Sequence, residues 1–272
     1  MGNQPVAVVT GGGSGIGSAT AHQLRGDGWE VIISGRRPEP LQLVADQTGA
    51  VPVVADTYTQ SNVTKLVESA LERFGSLDGL VLNAGVVRAG SAGGLSDQAW
   101  DEMMSTNLTG PFRLARKALP HLLASRGAIV GVASAAALRA TRGIAGYSAS
   151  KAGLTMLMQS IAVDYGPLGV RANAICPGWT RTEMADMEMK EYGADLGLSP
   201  EEAYRTATSF VPARRPAEAT EIAQVISWLL SDKASYITSA VIPVDGGMIS
   251  VDPGSLGFAA RTAAEPANQG TA

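Results

Sequence analysis

At 272 residues, 45% of them apolar and 17% charged, the chain is long enough for one α/β sheet with a full core on each face. A formal net charge of −4 gives no electrostatic footprint for nucleic acid or an anionic membrane, and neither is expected as a partner. No apolar run reaches the roughly 18 residues needed to span a bilayer, and no basic segment leading into an apolar one opens the chain. A cytoplasmic protein is expected.

Short β-branched runs alternate with longer helical patterns. That rhythm predicts repeated βα units: a doubly wound, Rossmann-like parallel sheet with helices on both faces, in a single domain over residues 1–252. Val6 to Val9 reads as the first strand, followed by a helix from Gly15 to about Asp27. Strands are expected at Val31–Ile33 and Val51–Val54, a helix from about Asn62 to Phe74, and a strand at Leu80–Leu82. Ser96 to about Ala124 reads as one long helix bent near Gly110-Pro111. A strand at Ala128–Val130, a helix from about Gly146 to Tyr165 and a strand at Val170–Ile175 continue the pattern.

The rhythm then breaks. Between Pro177 and Pro212 no further strand is predicted, but Ser199-Pro200-Glu201-Glu202 starts a helix, with Ser at the N-cap, Pro at N1 and Glu at N3. Residues 179–212 are expected to form a mobile helical lid, with Gly193 and Gly197 giving it freedom and Met184, Met187 and Phe210 turned to the substrate. Trp179 and Met189 are placed equally well in the core or in the pocket. A helix from about Glu218 to Leu230 and a strand at Ala240–Val244 close the domain. Residues 253–272 form a tail, small, polar and frayed from Ala260.

The one cysteine, Cys176, has no partner for a disulfide and reads as a buried, inert thiol. His22 and His121 fall in helical patterns, and no cluster has metal-ligand spacing, so no metal is expected.

The first strand runs straight into Thr10-Gly11-Gly12-Gly13-Ser14-Gly15-Ile16-Gly17. Glycines at 11, 15 and 17 let the backbone turn tightly against a pyrophosphate, whose charge then faces the N-terminus of the next helix. Position after a strand and before a helix is what this reading requires. The second strand ends Ser34-Gly35-Arg36-Arg37, with no acid to hold a free ribose 2′-hydroxyl and two guanidinium groups suited to a 2′-phosphate. NADP(H) is therefore favoured over NAD(H), the alternative being that both arginines are simply solvated. Asp56, after the third strand, could accept a hydrogen bond from the adenine amino group.

Together Thr10–Gly17, Asn83-Ala84-Gly85, Asn107, Ser134, Tyr147-Ser148-Ala149-Ser150-Lys151, Pro177-Gly178 and the closing Val244-Asp245-Gly246-Gly247 resemble the short-chain dehydrogenase/reductases in order and spacing. The resemblance covers about Val6 to Gly247. It implies a catalytic tetrad of Asn107, Ser134, Tyr147 and Lys151, with Asn107 holding a water that relays protons through Lys151. It further implies cofactor contacts from Asn83, Ala84 and Gly85, whose small side chains leave room beside the cofactor, and from Tyr147 and Lys151. Pro177, Gly178, Thr180 and Thr182 are expected to line the nicotinamide end, with Thr182 on its carboxamide. Members are commonly homotetramers or homodimers built on the long helices.

The chemistry agrees with the residue types. Reducing a carbonyl leaves an oxygen that needs a proton, and a free tyrosine, with a pKa near 10, gives one up reluctantly at neutral pH. Lys151 lies four residues on and so on the same helix face, where its ammonium should stabilise the tyrosinate. Ser134 can hold the substrate oxygen. A serine nucleophile is disfavoured, because neither histidine is suitably placed and no G-x-S-x-G elbow surrounds it.

Three functions stay open: a broad ketone reductase or secondary-alcohol dehydrogenase, a 3-oxoacyl-thioester reductase, and a nicotinamide-sensing binding protein. The complete tetrad argues against the last. The substrate is not readable beyond a small ketone or alcohol, with Arg142 a candidate anchor for an anion or a plain surface residue.

Overall fold

The runs read as strands become, in the computed structural model, β1 (Val6–Thr10), β2 (Glu30–Gly35), β3 (Val51–Val54), β4 (Gly79–Leu82), β5 (Ala128–Val132) and β6 (Arg171–Pro177). They are followed by β7 (Thr180–Arg181), β8 (Ala217–Glu218) and β9 (Val241–Val244). Residues 4–252 and Gly254 are described, so most of the expected tail, Ala260 onward included, lies outside the described residues.

Seven strands form one parallel sheet in the order β3-β2-β1-β4-β5-β6-β9. Successive strands move outward from β1 to one side and from β4 to the other. Between those two the order reverses, and there the crossovers part and a ligand crevice opens beyond the strands' C-terminal ends.

Alternation along the strands divides the core into two layers. Val6, Val8, Ile32, Leu80, Leu82 and Ile129 face one side. They pack on α3 (Gln60–Phe74), α5 (Gly110–Ser125) and α6 (Ala145–Tyr165) through Leu66, Leu114 and Leu154. Ala7, Val9, Val31, Ile33, Val81 and Val130 face the other. Their partners are Leu24, Leu41 and Ile226 on α1 (Gly15–Gly26), α2 (Pro38–Thr48) and α9 (Ala219–Leu230). Each such valine, leucine or isoleucine side chain contributes about 1.5–3 kcal/mol on burial, which is why the sheet is a rigid platform for the groups at its edge.

Three features depart from the sequence reading. Helix α2 was not among the expected elements; Pro38 takes its first helical position, where its missing N–H costs nothing. The long helix is interrupted: α4 (Asp97–Met104) passes through a π turn at Ser105–Thr109 into α5, with Gly110 N–H bonded to Ser105 carbonyl. The break therefore begins upstream of Gly110-Pro111. And the segment after Pro177 does hold a strand, β7, pairing over two residues with β8.

That segment then folds into α7 (Glu183–Leu196) and α8 (Pro200–Ala207). The capping box at Ser199 forms as predicted, with Ser199 N–H donating to Glu202 Oε2 at 2.9 Å and Glu202 N–H to Ser199 Oγ at 3.3 Å. The hairpin has its own small core of Ala185, Met189, Ala203 and Tyr204, with Trp179 packed against it. Met189 is thus a core residue, whereas Met184, Met187 and Phe210 are exposed. Among the described residues, no helix is long and apolar enough to cross a membrane.

Candidate active site

β1 ends at Thr10, and the chain must turn sharply to enter α1. Gly11 and Gly15 take φ of +66° and +52°, which side chains resist. A Cβ on Gly17 would lie 2.1 Å from the Gly11 carbonyl oxygen, so the turn closes only around a glycine. Ser14 stands at the N-cap of α1 without a side-chain cap bond, and Ile16 anchors the turn in the core layer beneath. This cradle of bare backbone at a helix N-terminus fits a dinucleotide pyrophosphate.

The cradle is braced across the sheet's reversal. Thr10 Oγ1 accepts from the N–H groups of Asn83 and Ala84 at 2.9 and 3.0 Å and donates to Val81 carbonyl at 3.2 Å. Asn83 Nδ2 donates to the carbonyls of Thr10 and Gly11 at 2.9 and 3.3 Å. A Cβ on Gly85 would meet Lys151 Nζ at 3.2 Å and Asn107 Oδ1 at 3.5 Å, so the missing side chain also makes room for those groups.

At the adenosine end the expected groups divide. Asp56 Oδ1 accepts from the N–H groups of Tyr58 and Thr59 at 2.9 and 3.1 Å, capping the approach to α3. Burial opposes its ionisation, but hydrogen bonds from Asn62, Thr59 and Tyr58 hold it below the usual carboxylate range. Arg36 is exposed near it. Arg37 is not a free solvated arginine: its fork grips both oxygens of Glu183, at 2.9 and 2.6 Å.

Tyr147 lies in the first turn of α6, and that start is pinned by Gly90, which donates to Gly143 carbonyl at 2.6 Å and accepts from Ala145 N–H at 3.2 Å. Gly146 lets α4 approach, since a Cβ there would sit 2.6 Å from Met103 Cε. Ser134, just past β5, is near enough to Tyr147 to favour its ionised form, and its Oγ accepts from Ala136 N–H at 3.2 Å. Lys151 is buried one turn along α6, with Nζ 5.7 Å from the Tyr147 ring centre and donating to Val132 carbonyl at 2.8 Å. Asn107, in the π turn, is fully buried and donates to Ser150 Oγ at 3.0 Å. All four expected catalytic residues therefore meet at one corner of the sheet edge.

The electrostatics correct one expectation. Burial pushes the Tyr147 hydroxyl up to about 12 against the opposite effect of Ser134, and the charge of Glu188 on α7 adds to the rise. Lys151 does not pull it down here; burial holds the lysine itself at about 8, and its Nζ points to Val132. Cys176, on β6 behind this corner, is fully buried with its thiol pushed up to about 11 by burial, as an inert thiol should be.

Pro177 ends β6, and Gly178 N–H donates to Val244 carbonyl at 3.1 Å, closing the turn beside Asp245. Thr180 is buried with its hydroxyl on Gly178 carbonyl at 3.1 Å, so its side chain is used inside the loop. Thr182 caps α7, accepting from Ala185 N–H at 3.2 Å, and its Cγ2 lies 2.9 Å from where a Gly15 Cβ would be. The start of α7 thus rests on the cradle.

Three participants went unread. Thr10 ties the strands together, Glu183 holds Arg37, and Ser150 links Asn107 to Tyr147 by donating to its carbonyl at 2.8 Å. Ser150 had a signal: a polar residue three after Tyr147, on the same helix face and inside an apolar pattern.

A family profile described as enoyl-(acyl carrier protein) reductase matches residues 11–249. Protein MoaE of Klebsiella aerogenes is 41% identical over 258 residues, covering 93% of this chain and 99% of that one. Levodione reductase of Leifsonia aquatica is 35% identical over 254 residues, 89% of this chain and 93% of its own. Among solved structures, a variant of actinorhodin polyketide ketoreductase with NADPH superposes with a TM-score of 0.86 at 32% identity, covering 90% of this chain and 97% of that one.

Proposed function

The chain belongs to the short-chain dehydrogenase/reductase family, and from that we propose an NADP(H)-dependent ketone reductase or secondary-alcohol dehydrogenase with Tyr147 as its acid/base. The observation that carries this reading is the convergence of Tyr147, Ser134 and Lys151 beside the strut that braces the glycine cradle. Bound nicotinamide would supply or take up the hydride. The protein's part is the proton and the alignment. Tyr147 Oη gives its proton to the substrate oxygen in reduction and takes it back in oxidation. The Ser134 hydroxyl donates a second hydrogen bond to that oxygen and fixes its position. Lys151, poised near neutrality by burial, hands protons on towards a water beside Asn107.

Tyr147→Phe should lower turnover at least about a hundredfold while leaving NADPH affinity nearly intact, since only the proton donor is lost. Near-wild-type turnover in that variant removes Tyr147 from the mechanism. A panel of ketones and alcohols followed by nicotinamide absorbance with both cofactors tests the activity.

Reduction of a 3-oxoacyl thioester is the second reading, favoured by the acyl-carrier family profile and the ketoreductase likeness. Turnover of acyl thioesters but not of simple ketones would select it. Both readings include assembly as a homodimer or homotetramer, supported by the exposed apolar groups Phe112 on α5 and Met156 and Val163 on α6. Light scattering at micromolar concentration giving the 28.0 kDa monomer overturns the assembly.

A further inference from the structure

The first turn of α7 touches the cofactor crevice twice, through consecutive residues. Thr182 rests on Gly15, and Glu183 holds Arg37 across 146 positions of sequence. The contact is bidentate: Nη1 donates to Oε1 at 2.9 Å and Nη2 to Oε2 at 2.6 Å, so the planar fork is used on both prongs. A phosphate monoester binds a guanidinium through that same fork. It also carries close to two negative charges at neutral pH, which the Glu183 carboxylate would repel. The two occupants exclude each other. A ribose with a free 2′-hydroxyl has no such conflict, because it makes no claim on the fork.

We propose that Glu183 is a specificity-determining residue: an internal carboxylate that occupies the 2′-phosphate site on Arg37 and must leave it when NADP(H), but not NAD(H), binds. It lowers the affinity for NADP(H) relative to an open Arg37, and it ties the position of the α7–α8 hairpin to which cofactor is present. Displacement of Glu183 frees the first turn of α7 from the β2 end of the sheet. The hairpin thereby senses the 2′-phosphate. Arg36, on the exposed side near Asp56, remains to hold the incoming phosphate while the exchange takes place.

This rests on Arg37 being the 2′-phosphate contact, and the test separates the two claims. NADPH and NADH are titrated by fluorescence into wild type, Glu183→Gln and Arg37→Ala. Both side chains are more than half exposed, at 57% and 55%, so the effect is bounded by what a surface ion pair contributes. Glu183→Gln should tighten NADPH by up to about fivefold and leave NADH unchanged. In wild type, NADPH but not NADH should speed hydrogen exchange in the first turn of α7, and Glu183→Gln should abolish that difference. Unchanged NADPH affinity in Glu183→Gln, with weakened NADPH binding in Arg37→Ala, overturns the latch and keeps the cofactor reading. Unchanged NADPH affinity in Arg37→Ala overturns both.

Discussion

The side-chain amide of Asn107 is bonded to both backbone groups of Val86, accepting from its N–H and donating to its carbonyl, each at 2.9 Å. With the further bond to Ser150, both Nδ2 hydrogens are used. The side chain acts as a clamp between the π turn and the chain leaving β4. A relay water held by Asn107 would have to rely on an acceptor that remains, not on the amide N–H groups. The clamp also accounts for the π turn: α4 and α5 meet with one extra residue in the turn, at the place where Asn107 reaches sideways to Val86.

Asn107→Ala should therefore destabilise the protein by about 2–4 kcal/mol, since it strands the buried N–H and carbonyl of Val86. Asn107→Asp keeps the acceptor but sets an oxygen against the Val86 carbonyl, and should rescue little. Thermal unfolding of the two variants checks this. An Asn107→Ala protein that melts with wild type would mean that Val86 finds other partners.

Such a relationship explains what the sequence could and could not disclose. β1, the glycine turn and the Ser199 capping box were legible because each obeys a rule confined to a few neighbouring residues. The π turn was not, because its cause lies 21 positions away, in the backbone of Val86. Nor was the β7–β8 pair, since two-residue strands have no periodicity to read. At the candidate site the four side chains proposed as catalytic were legible as types at family spacing, whereas the holders were not. Arg37 was read from its own end, and nothing local points to Glu183. Gly85 was read as room for a ligand, and only the fold shows that Lys151 lies beside it too.

Gly17→Ala is the sharpest test of the cradle. The added Cβ would lie 2.1 Å from Gly11 carbonyl oxygen and 2.6 Å from Asn83 Nδ2, two groups that cannot both give way without opening the turn. Cofactor affinity should fall more than about tenfold, and stability by about 2 kcal/mol or more, because strain and lost hydrogen bonds add. Calorimetric titration with NADPH on a protein shown to be folded by circular dichroism measures the first. Wild-type affinity would place the dinucleotide elsewhere.

Lys151 makes a signed prediction about pH. Its folded pKa of about 8 lies below the ordinary 10.5, so between those values the unfolded chain binds more protons than the folded one. Stability from this group must rise with pH across that window, by up to about 1.4 kcal/mol per unit. Tyr147, raised from 10.0 to about 12, works in the opposite sense, and its contribution falls as pH rises beyond 10.0. Denaturant unfolding of the cofactor-free protein from pH 7 to 10 should show the rise in wild type and a flatter profile in Lys151→Met. Parallel profiles would place the Lys151 charge in solvent.

The α7–α8 hairpin should move as one body. We expected its freedom to come from Gly193 and Gly197, but both are structural: Gly197 caps α7 in the left-handed region, and a Cβ on Gly193 would lie 2.6 Å from Leu198 carbonyl oxygen. What joins the helices is Tyr204, whose hydroxyl donates to Asp186 Oδ1 at 2.8 Å while Arg181 stacks 4.3 Å over its ring. Arg181 also pairs with Glu201 at 2.6 Å. Freedom in a lid so built belongs at its ends, near Gly178 and beyond Val211, and not within it. Hydrogen exchange should accordingly show α7, beyond its first turn, and α8 opening with one common rate in the free protein and slowing together when cofactor and substrate bind. Tyr204→Phe, which loses one hydrogen bond but keeps the ring, should raise that common rate by about fivefold. Tyr204→Ala, which empties the small core, should uncouple the helices so that α8 exchanges ahead of α7. Slow exchange in the free protein, indifferent to both ligands, would make the hairpin a fixed wall of the site.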